Sequence, residues 1–77
     1  MTEVIFQGVV YNATHGSPFD RGRADSYYGR EEVPHMGGVG INGGPRVTSE
    51  NMTLKEMSEY FAGYRYNELH GDKKEYV

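Results

Sequence analysis

The sequence predicts a small α+β domain in which an N-terminal β-hairpin, with a third short strand, packs against two α-helices. Three observations carry this reading. A β-branched, alternating run, EVIFQGVVYN, is broken at its centre by Gln7-Gly8, where a two-residue turn would sit. Ser17-Pro18 opens a second segment that closes at Gly29, and Thr53 to Glu56 opens a third that closes at Gly71. The predicted elements are a hairpin over about 3–12, a helix over about 18–28, a glycine-rich loop over 31–45, a helix over about 54–70 and a polar tail over 72–77, all in one domain spanning 1–77.

With Gln7-Gly8 as the turn, Phe6 faces Val9 and Val4 faces Tyr11. Those four side chains then share one face that can cover a helix, leaving Ile5 and Val10 opposite. The alternative is a single strand bulged at Gly8. The first helix has a hydroxyl at N-cap, proline at N1 and the Asp20 carboxylate at N3, near the positive end of the helix dipole. Arg21 with Asp25, and Asp20 with Arg23, stand at spacings that favour ion pairs along the helix. Gly29 is placed to cap its C-terminus, with Arg30 beside it. Residues 31–45, EEVPHMGGVGINGGP, hold little regular structure beyond a short extended piece, and Arg46-Val47-Thr48 forms the third strand. Thr53 and Glu56 make a capping box. Leu54, Met57, Phe61 and Tyr64 then recur every three or four residues, with Tyr60 widening the stripe. FDRGRADSYYG and YFAGYRYNELHG echo each other loosely, which reads most simply as two helices packed through Gly22, Ala24, Ala62 and Gly63.

Seventy-seven residues allow only a small core, which argues against a large catalytic cavity. There is no cysteine, so neither a disulfide framework nor a thiolate metal site is available. Eight basic against eleven acidic residues give a net charge of −3, the opposite of a chain that binds DNA by neutralising phosphates. No apolar run approaches the length of a membrane span or a signal peptide. The composition is that of a small acidic, soluble, cytoplasmic protein with no membrane partner.

Candidate chemistries are each answered by a simpler role. Gly38 to Gly43 spells GVGING, the letters of a pyrophosphate-binding loop, but Gly44-Pro45 follows where that motif needs a helix. His15, His35 and His70 show no metal-ligand spacing. His15 suits a hydrogen bond within its turn, and His70 suits the end of the second helix. Ser17, Ser26 and Ser58 lack a nucleophile elbow. No catalytic residue, metal or cofactor is assigned. The surplus chemistry is arginine and tyrosine: Arg21, Arg23, Tyr27, Tyr28 and Arg30, with Arg46, Arg65, Tyr64 and Tyr66 available to join them. That pairing is enriched at protein interfaces and also serves RNA. Its plainer alternative is a solvated face neutralised by Asp20 and Asp25. Arg21, Arg23, Tyr27, Tyr28, Arg30 and His35 are the candidate partner-binding set.

The run HGSPFDRGRADSYYGREEVPH, together with EYFAGYRYNELHGDKKEY, resembles a set of small proteins encoded by tailed bacteriophages and some prophages. A fainter similarity joins Arg21-Gly22, Ala24, Gly29-Arg30 and Pro34 to the ribosome modulation factor family, small bacterial helical proteins that inactivate ribosomes by promoting their dimerisation. That family is basic and has neither the hairpin nor the glycine-rich loop. The first resemblance implies a non-enzymatic, phage-encoded accessory or host-takeover protein in the host cytoplasm, binding a host protein through the arginine and tyrosine face. The second implies a ribosome-associated factor whose Arg21, Arg23, Tyr27, Tyr28 and Arg30 face a ribosomal component. A small metal-dependent hydrolase or nuclease is a third reading, resting on the histidines alone. A homodimer is compatible with all three.

Overall fold

The computed structural model describes residues 2–39 and 44–74. Its elements run in the order β1 (Glu3–Phe6), β2 (Val9–Asn12), α1 (Pro18–Tyr27), β3 (His35–Met36), β4 (Val47–Thr48), a 3-10 turn (Ser49–Asn51) and α2 (Leu54–His70). The fold is α+β: an antiparallel hairpin, a second two-stranded sheet and two helices. Among the described residues no helix is long and apolar enough to cross a membrane.

β1 and β2 pair as expected, Val4 with Tyr11 and Phe6 with Val9. Gln7 and Gly8 both take positive φ, 52° and 79°, as a type I′ turn requires. One side of the hairpin presses on the helices. Phe6 is buried and stands edge-on to Tyr66 at 5.4 Å, while Tyr11 stacks on Phe19 at 4.8 Å. Val9 shares that side yet stays half exposed, and Ile5 and Val10 face solvent.

α1 begins at the expected cap: the Ser17 hydroxyl accepts the Asp20 N–H at 3.2 Å. It ends in a Schellman motif. The Arg30 N–H reaches the Asp25 carbonyl at 2.8 Å and the Gly29 N–H reaches Ser26 at 3.1 Å, with Gly29 at φ 68°, where a Cβ would be strained. α2 opens on the capping box: the Thr53 hydroxyl accepts from the Glu56 N–H and the Glu56 carboxylate accepts from the Thr53 N–H.

The expected third strand is β4, and the expected extended piece of the glycine-rich segment is β3; they pair with each other, His35 opposite Thr48 and Met36 opposite Val47, as a separate small sheet. The extended bias imposed on Val33 by Pro34 prepares that edge. One expectation is corrected: the buried face of α2 is Tyr60, Gly63 and Asn67, whereas Leu54 and Phe61 of the expected stripe are exposed. At Gly63 the helices approach too closely for any side chain, so glycine marks the packed face. The polar tail begins docked on α1. The Lys74 N–H donates to the Tyr27 carbonyl at 2.7 Å and the Lys73 ammonium to the Ser26 carbonyl at 3.0 Å, meeting the last carbonyls of α1 where a cation complements the dipole. Of the GVGING motif, residues 40–43 lie outside the described residues, as do tail residues 75–77.

The helices cross at Gly22 and Gly63. A Cβ on Gly22 would lie 2.1 Å from the Tyr60 carbonyl oxygen, and one on Gly63 would lie 2.0 Å from that of Phe19. Phe19 and Tyr60, each one turn before its glycine, are fully buried on either side of the contact. Next to them Ser26, also fully buried, donates to Glu68 at 2.5 Å and accepts from the Asn67 amide at 3.0 Å. Tyr60 ties the following loop to the helices: its hydroxyl donates to the Asp25 carboxylate and accepts the Val33 N–H at 3.1 Å. Burial first, and the Asp25 carboxylate second, push the Tyr60 phenol far above the usual tyrosine value.

Gly22→Ala and Gly63→Ala test the crossing. In an ordinary helix alanine gains about 1 kcal/mol over glycine; here each substitution is expected to lose about 3 kcal/mol through backbone overlap, read as a lower urea midpoint. Tyr60→Phe leaves a buried carboxylate and a backbone N–H without their shared partner and is expected to cost about 2–3 kcal/mol. Because folding raises the Tyr60 pKa, its contribution is complete below the unfolded value of about 10 and is lost as pH climbs through the folded one. Wild-type stability should fall in strong alkali, with Tyr60→Phe showing a smaller loss in the same titration.

Candidate functional site

The outward side of α1 carries most of the expected set. Arg21, Arg23, Tyr27 and Tyr28 line one cleft of about 350 Å³ with His15, Asp20, Ala24 and Asn67. Arg21 is not free to reach far. Its guanidinium grips the Asp20 carboxylate at 2.7 Å, and the same oxygen accepts the Gly16 N–H at 2.9 Å and lies 3.3 Å from His15 Nδ1. The expected Arg21–Asp25 and Asp20–Arg23 pairs are therefore absent among the described ion pairs. Asp25 turns into the helix interface, and Arg21 takes the carboxylate already fixed in the first turn. Arg23 instead lies over the Tyr66 ring, 5.5 Å from its centroid.

Tyr27 and Tyr28 are the exposed aromatics of this face, each 38% accessible and packed edge to face at 5.0 Å. The Schellman turn then swings Arg30 back so that its guanidinium covers Tyr28 at 4.6 Å, while the Tyr64 hydroxyl donates to the Arg30 carbonyl at 2.7 Å. Tyr64 thus braces the face from behind. Arg65 lies elsewhere, with Glu32, Tyr64, Glu68 and Leu69 around a smaller hollow.

Arg30 is the link to a second concavity of about 600 Å³, lined by Asp25, Arg30, Glu31, Val33, His35 and Arg46. Asp25 is 4% exposed and His35 7%. Asp25 receives the Tyr60 hydroxyl and lies 3.5 Å from both Arg30 and His35 Nδ1. His35 Nδ1 also faces the Val33 carbonyl at 3.0 Å, and its ring packs at 5.6 Å from that of Tyr60. His35 accordingly sits in the wall of this cavity, apart from the tyrosine pair, where strand β3 holds it. Among the described residues no group of three or more His, Asp or Glu side chains could hold a metal ion.

The arrangement therefore divides the six expected residues into a cleft of Arg21, Arg23, Tyr27 and Tyr28, a bridging Arg30, and a separate His35. Asp25 and Tyr60 form a pair across the helices that neither residue's local sequence announces. The available signal was spacing: Phe19, Gly22 and Asp25 recur every three residues, which puts the carboxylate on the glycine-marked face and requires a buried donor opposite it. No family model, curated protein or solved structure matches the chain.

Proposed function

We propose that this chain is a non-enzymatic, phage-encoded accessory protein that binds a host protein through the C-terminal half of α1. The observation that carries the reading is the pair of exposed tyrosines, Tyr27 and Tyr28, held edge to face and flanked by Arg23 and Arg30, each over an aromatic ring. Rigid aromatic area with adjacent guanidinium forks is what protein hot spots are made of, because little side-chain entropy is lost when it is covered. The Schellman turn and the docked Lys73-Lys74 segment hold that end of the helix in place before any partner arrives, which lowers the ordering cost of association. The mechanism is occlusion or remodelling of the partner.

The test pairs Arg23→Glu with Tyr28→Ala, leaving Arg21 and its Asp20 contact intact. Tagged wild-type protein from expressing cells is expected to retain a host protein that the double variant loses, by about a hundredfold in affinity, while both melt at similar temperatures. A normally folded double variant that captures every wild-type partner would contradict the reading. Sedimentation of the wild type with ribosomal particles, abolished by the same variant, would transfer the face to a ribosomal component.

A further inference from the structure

The cavity around His35 is distinct from the tyrosine cleft, sharing with the proposed binding face only Arg30. We propose that this cavity binds a phosphate monoester, held by Arg30, Arg46 and the Nε2 atom of His35. The inference does not depend on the host-protein reading.

His35 is nine-tenths buried, and its Nδ1 faces two acceptors, the Val33 carbonyl at 3.0 Å and the Asp25 carboxylate at 3.5 Å. Nδ1 therefore carries a proton, and Nε2 is the ring nitrogen left to contact a ligand. Nε2 has no hydrogen-bond partner among the described residues, and every fully buried side-chain nitrogen or oxygen among them has one. Nε2 thus meets solvent, and the ring lines the cavity.

The remaining lining supplies the charge. Arg46 makes no ion pair among the described residues and enters from the β4 side, while Arg30 enters from the end of α1. Asp25 from α1 and Glu31 from the loop oppose them, and Tyr60 of α2 donates to Asp25 from below. With His35 protonated, three positive groups face two negative ones; with His35 neutral, the cavity is balanced. Anion binding is therefore coupled to uptake of one proton at Nε2. Donors from three separate elements suit the three terminal oxygens of a tetrahedral phosphate, whereas a planar carboxylate fills a single guanidinium fork. The cavity is larger than the oxyanion itself and has room for the group that bears it.

Calorimetric titration with sulfate tests this, because sulfate keeps its charge while the protein titrates. Affinity is expected to rise as pH falls, by up to about tenfold per unit for one coupled proton. Arg46→Ala, at an exposed position, should fold normally and bind sulfate about tenfold more weakly; Arg65→Ala, outside the cavity, should bind as wild type. Sulfate should move the imidazole resonances of His35 and leave those of His15 and His70 in place. O-phosphoserine and a nucleoside monophosphate, each expected to bind more tightly than sulfate, distinguish a phosphorylated side chain from a nucleotide as the source by which of them binds better. A sulfate affinity independent of pH, unchanged by Arg46→Ala, or accompanied by shifts at His15 beside Arg21, would overturn the site.

Discussion

Two helices can approach until their backbones touch only where both lack a side chain, and the rest of this molecule depends on such a contact. Gly22 and Gly63 place each helix against the other's carbonyl oxygens, with room for nothing larger than hydrogen. That closeness explains how so short a chain obtains a core. Phe19 and Tyr60 are drawn in beside the crossing and fully buried, and the hairpin then needs to supply only Phe6 and Tyr11 to close one side. The cost is that large side chains on the outer side of α2 find no cover, and Leu54 and Phe61 remain in solvent.

The crossing also sets the polar architecture. Tyr60 buried at that depth must find partners for its hydroxyl, and the geometry provides Asp25 and the Val33 N–H. This one hydroxyl joins α1, α2 and the loop that follows α1. Through it the loop acquires a fixed path at Val33, and His35 reaches the edge of the core. The His35 cavity is thus a consequence of how the helices meet, while the tyrosine pair is supported in addition by buried Ser26 and the docked Lys73-Lys74 segment.

Most local structure was legible because its causes are local. Ser17-Pro18, Gly29, Gln7-Gly8 and the Thr53/Glu56 box each act within four residues, and each does in the fold what its chemistry prescribes. The pairing of the echoed FxxG and YxxG segments was also legible, since a helix-interior glycine generally has a packing reason. What the sequence concealed was long-range. The partner of Val47-Thr48 lay in a stretch whose composition speaks for turns. Asp25 had two arginines at helical spacing, and nothing local indicated that a tyrosine 35 residues away would claim it. The arginine and tyrosine set was visible as composition, but its division between two concavities depends on where the Schellman turn points Arg30.

The central claim is that the Tyr60 hydroxyl locks the loop after α1 to the helix pair. Amide hydrogen exchange at Val33 reads this most directly, because that N–H has the Tyr60 oxygen as its acceptor. Val33 is expected to exchange as slowly as the central amides of α2, through global unfolding alone, while the neighbouring Glu31 and Glu32 amides exchange rapidly. A Val33 amide that exchanges as fast as its neighbours would contradict it.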